Sequence, residues 1–98
     1  MKPTQYVVVH LPGPAWKADV PLFEQGGLRL HVAHYATLHA EGKLVMGGPF
    51  LDAASGGMMI AAPNIEEEEL RSFAAADPAV ASGLLAFEVR PWLVGMRA

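Results

Sequence analysis

The chain has 98 residues, a net charge of −3, 52% hydrophobic residues and only 17% charged ones; a chain of this length holds one core, so residues 1–98 are expected to form a single domain. Its basic residues (Lys2, Lys17, Arg29, Lys43, Arg71, Arg90, Arg97) are scattered rather than gathered into a stripe that could follow phosphates, which argues against nucleic acid as a partner. The absence of cysteine excludes disulfides, thiolate nucleophiles and cysteine-ligated metal sites, and no run approaches the roughly 20 apolar residues that would span a membrane.

Gln5 to Leu11 is a β-branched run closed by Pro12, Gly13 and Pro14, which predicts a strand ending in a loop. Its apolar stretch YVVVHL is too short for the core of a secretory signal and is broken by His10, so a cytoplasmic location is expected. Ala15 to Gly27 is irregular, with Asp19-Val20-Pro21 able to start a brief turn that Gly26-Gly27 stops; a loop of this length is a candidate functional segment.

Leu28 to Glu41 has helical spacing. At 100° per residue Leu28, His31, Tyr35 and Leu38 share one arc, with Arg29, Ala33, Ala36 and Ala40 opposite, and Gly42 stands where a left-handed C-cap belongs. Lys43 to Phe50 and Gly57 to Ala62 are apolar runs separated by LDAASG, predicting two antiparallel strands joined by a hairpin loop. Asn64 is placed to cap a second helix, with Glu67 in the capping-box position and Glu66 to Glu69 near the positive helix end as a solvated face. Leu70, Phe73 and Ala74 give that helix its apolar side. Asp77-Pro78 ends it and starts a short turn to Gly83, after which Leu85, Phe87 and Val89 alternate with Ala86, Glu88 and Arg90 as an edge-like strand.

The order β-α-β-β-α-β is the split pattern of an α+β, ferredoxin-like antiparallel sheet with both helices on one face. Its central strands would be the first and third, whose segments YVVV and GMMIAA are apolar on both faces. Burial of the face without helices then follows, and with it a homodimer whose sheets pack together.

Three histidines stand in the first helix. His31 and His34, three residues apart, could both reach one metal ion, but His39 lies about 140° around from His34, and spacing identifies no third ligand among His10, Asp52 and Asp77. A metal site is therefore not expected. His31 sits in the middle of the apolar arc, where a buried imidazole must find partners. It is either a satisfied core histidine or a general acid or base, since an imidazole's ordinary pKa near 6.5 admits both proton states at neutral pH. His34 and His39 lie on the flanks. By spacing alone Asp77 caps the turn that begins at Pro78. Gly47-Gly48-Pro49 marks either the close approach of a ligand or backbone, or a bulge before the hairpin.

Taken together, His31 followed eleven residues later by Gly42-Lys43, GGPF at 47–50, DPAVASGL at 77–84 and VRPW at 89–92 resemble the YCII-related family, itself related to the DGPF-domain proteins. The resemblance covers residues 5 to 95. It implies a dimeric α/β barrel and a histidine–aspartate pair in a cleft near the dimer interface, which by position are His31 and Asp77. The expected partner is a small-molecule ligand and no cofactor is expected, with Tyr35, His34, Gly47, Gly48 and Pro49 contributing to binding and Met46 or Met58 lining the pocket. Basic residues that the family often places ahead of the histidine are matched at most by Arg29. One branch of the family resembles dehydrochlorinases acting on chlorinated hydroxyquinones, and muconolactone isomerases and small monooxygenases are fold relatives by analogy only. The expected activity is cofactorless proton transfer, with a non-catalytic binding module as the alternative.

Overall fold

The computed structural model describes residues 4–98. A strand β1 (Thr4–Pro12) is followed by a 3₁₀ turn at Leu22–Glu24, the helix α1 (Leu28–Ala40) and the hairpin β2 (Leu44–Pro49) and β3 (Gly57–Ala61). The helix α2 (Glu67–Ala75), a single helical turn α3 (Pro78–Ala81) and β4 (Leu85–Leu93) complete it. The sheet is antiparallel in the order β2-β3-β1-β4, with β1 and β3 central and β4 at an edge, as the alternation predicts.

Period-two alternation sorts β1 into two faces. Val8 joins Met59, Ala61 and Val89 under the helices, where Leu38, Ile65, Leu70 and Ala74 close a core around them. Val7 and Val9 point the other way, into a shallow hollow of about 310 Å³ shared with Met58, Ile60, Arg90 and Trp92. Gly42, at φ 75°, turns the chain out of α1 as the helix-ending glycine should.

The second helix departs from expectation. Asn64 is exposed in a turn and caps nothing; the N-cap is Glu66, in extended backbone with no side-chain cap bond. Ile65 explains the shift, because burying it in the core holds the chain extended for one more residue and moves the helix start past the capping-box register. Three glutamates in the first turn supply the negative charge that favours a helix start. Two of them also pair with Lys43 and Arg71.

Candidate active site

Position 77 joins α2 to α3, and its carboxylate is fully buried. Oδ1 accepts the Ala79 N–H at 2.9 Å, the capping bond that its place before Pro78 predicts. Oδ2 lies 2.5 Å from His31 Nδ1 across to α1. Burial alone would raise this carboxyl, but the bonds from His31 and Ala79 outweigh it and hold it below its ordinary value. An ionised carboxylate only accepts, so Nδ1 carries the ring proton and Nε2 of His31 is left bare while the ring is neutral.

Around this pair stand two more rings. His10, two residues beyond Val8 on the same face of β1, meets His31 edge-on at 4.9 Å between centroids. Tyr35, one turn along α1, lies 5.3 Å from His31, and its hydroxyl is 3.0 Å from His10 Nε2. Burial first, and the neighbouring His31 second, push His10 down from 6.5 to about 4. Burial raises the Tyr35 phenol, and Asp77 adds to the rise.

His10, His31 and Tyr35 line a cavity of about 580 Å³. Trp16, Leu22 and Phe23 of the loop after β1 form one wall, and Met46, Gly47, Gly48, Pro49, Met58 and Met59 of the hairpin form another. The loop is held in place by buried Gln25, whose amide donates to the carbonyls of Lys17 and Val20 and accepts from the Lys17 N–H. Among the described residues, no lysine, arginine, aspartate or glutamate lines the cavity.

Of the residues singled out by sequence, His31, Tyr35, Gly47, Gly48 and Pro49 line this space and Asp77 lies behind His31. His34 does not. Its ring stacks on Phe73 at 3.9 Å and its Nε2–H donates to the Phe73 carbonyl, because α2 packs along that flank of α1. His39 is exposed but reaches the cavity rim, while Arg29 is exposed and does not line it. At Gly47 a Cβ would fall 2.1 Å from Met59 Sδ and 3.2 Å from the Met58 carbonyl oxygen, so both side chain and backbone of β3 approach it closely. The bulge lies just before it, between Leu44 and Met46. His10 is the residue that sequence reasoning left aside, and its place on the inward side of an alternating strand was the available signal.

Ligating atoms of His10, His31 and Asp77 all lie within 4.8 Å of one another, a set able to hold a metal ion. This trio replaces the His31–His34 pair suggested by spacing. Donors on one ion at about 2.0–2.2 Å stand roughly 3 Å or more apart, so the 2.5 Å contact of His31 with Asp77 is that of a proton-bridged pair.

A model of the YCII-related domain matches residues 15–93. The uncharacterized protein YjpA of Bacillus subtilis is 37% identical over 70 residues, which covers 71% of this chain and 80% of YjpA. Among solved structures, the 5-chloro-2-hydroxyhydroquinone dehydrochlorinase of Burkholderia phenoliruptrix, in complex with 2,5-dihydroxybenzoquinone, superposes with a TM-score of 0.53 at 24% identity. That match covers 90% of this chain and 92% of the dehydrochlorinase, and it bears on the fold. No helix among the described residues is long and apolar enough to cross a membrane.

Proposed function

This chain belongs to the YCII-related family, and from that premise we propose that it is a small enzyme in which His31, oriented by Asp77, moves a proton on a small apolar or aromatic molecule. The observation that carries the reading is the 2.5 Å bond from a buried imidazole on a cavity wall to a fully buried carboxylate. Asp77 fixes the Nδ1–H tautomer and stabilises the imidazolium that forms when Nε2 takes a proton from an O–H or C–H of the substrate. The electron pair left behind expels a leaving group or is reprotonated at another carbon, giving elimination or isomerisation. His31 then returns its proton to product or solvent. Side chains alone supply this chemistry.

The fold neighbour's substrate provides an assay. In dehydrochlorination of 5-chloro-2-hydroxyhydroquinone a hydroxyl proton goes to His31 as the chlorine-bearing carbon takes one up, after which chloride leaves with its bonding pair and a second hydroxyl loses its proton, so one HCl is lost per turnover. Chloride release under anaerobic conditions is expected with the native protein. His31→Gln and Asp77→Asn should each slow it, the first by about 10²- to 10⁴-fold, with circular dichroism unchanged. Turnover surviving His31→Gln refutes the proposal. Equal binding of 2,5-dihydroxybenzoquinone to native protein and variant, with turnover by neither, identifies a non-catalytic binding module instead.

We also propose that the protein is a homodimer joined through the bare face of the sheet. Val7, Val9, Met58, Ile60 and Trp92 form an apolar patch there, and patches of this kind on small domains mark contact surfaces. Sedimentation equilibrium at micromolar concentration should give twice the 10.5 kDa chain mass; a monomer, or a dimer that survives Ile60→Lys, refutes that interface.

A further inference from the structure

His10 and Tyr35 form a second polar pair in the cavity, separate from the His31–Asp77 bond. Both are neutral at physiological pH: the imidazole is held down to about 4, and the phenol is displaced upward by burial. Two neutral groups 3.0 Å apart share one proton, and which of them donates decides what the pair offers a ligand.

The relative acid and base strengths of the two groups set the direction. A phenol is a stronger acid than a neutral imidazole N–H, and a bare imidazole nitrogen is a far stronger base than a phenol oxygen, so across this 3.0 Å contact the O–H donates to the ring nitrogen. The ring proton of His10 is then on Nδ1, which is buried without a hydrogen bond, and Nε2 accepts. The Tyr35 hydroxyl then donates to His10, and its remaining lone pairs are available to accept.

We propose that Tyr35, its proton engaged by His10, is a specificity residue that presents a hydrogen-bond acceptor to the cavity and selects molecules carrying a hydroxyl or N–H beside the atom that His31 deprotonates. The inference rests on the proposed role of His31, whose bare Nε2 is the second acceptor on the same wall. Among the described residues, the remaining lining side chains, apart from His39 at the rim and the indole of Trp16, are apolar or absent, with no charge to anchor a carboxylate or phosphate. A flat, uncharged molecule with two adjacent donors, such as an aromatic or enolic diol, fits this wall; a diether or diketone of the same shape does not.

Catechol and its dimethyl ether test the pair by binding alone, so the outcome is independent of turnover. Titration followed by amide chemical shifts should show catechol binding about tenfold more tightly than the ether to native protein, the scale of one hydrogen bond. Tyr35→Phe should shrink that ratio to roughly twofold or less. A ratio near one in native protein, or one kept by Tyr35→Phe, overturns the proposal. Long-range ¹H–¹⁵N correlation on the native protein near neutral pH provides a check without any variant: His10 should be protonated on Nδ1, and a proton on Nε2 overturns the assignment.

Discussion

Val8 and His10 stand two residues apart on the same face of β1, yet they floor two different chambers. Val8 lies beneath α2, whose Leu70 and Ala74 close over it with Leu38 and Val89 to leave an apolar core. His10 lies beneath the start of α1 and the loop after β1, where the roof leaves a cavity of about 580 Å³. The strand determines that both side chains point inward. What each one meets is decided by the covering layer: a nine-residue amphipathic helix over the first, the start of α1 and an irregular loop over the second. Polar groups collect under the looser roof, and because buried polar groups need partners they bond to one another, His31 to Asp77 and His10 to Tyr35. Tyr35 belongs to both chambers, its ring packed in the core and its hydroxyl on His10.

The sharpest way to break this contrast is in the closed chamber. Leu70 is completely buried, and its truncation removes transferred methyl groups and leaves a void that a sheet and two helices cannot easily fill. Leu70→Ala should cost about 4 kcal/mol in urea unfolding, and that cost should be the same at pH 5 and pH 8, since the cluster around it holds no histidine or carboxylate. A cost below about 1 kcal/mol would mean that this half is as loosely filled as the other.

These two chambers were not equally legible in the sequence. Helical spacing put His31, Tyr35 and Leu38 on one arc, and all three are buried; strand alternation and the order of elements gave the sheet. Such periodic signals are local, and they survive whatever the fold does around them. Asn64 failed because a capping box is a local preference, and the demand to bury Ile65 overrode it. His34 was drawn toward His31 by their 60° separation on an ideal helix, but α2 takes that flank and Phe73 holds the ring. The pairing of His31 with Asp77 came from family resemblance, since nothing in a sequence separation of 46 measures a distance across two helices. His10 carried a usable signal only in combination, as the one histidine on the inward side of a mostly apolar strand.

Acid should separate the chambers most directly, because only one of them contains groups whose charge changes on burial. In the unfolded chain His10 takes up a proton below about 6.5, whereas in the folded protein it does so only near 4. Between these values the unfolded state binds more protons, so stability is fully present above pH 6.5 and is lost as pH falls toward 4. The loss from this one group is on the order of 3 kcal/mol. Asp77 acts in the same direction at lower pH: its carboxyl is held below its ordinary value, so its contribution stands above the unfolded pKa and disappears as pH falls through the folded one. Urea midpoints measured from pH 7 to pH 4 should therefore decline in native protein, and in Leu70→Ala they should decline in parallel from a lower start. In His10→Gln the fall between pH 6.5 and 4 should largely flatten, whatever the absolute stability of that variant, because the change in slope depends on the titrating group alone. A decline of undiminished steepness in His10→Gln would place the acid sensitivity elsewhere in the fold and remove the chemical distinction drawn here between the two halves of one strand.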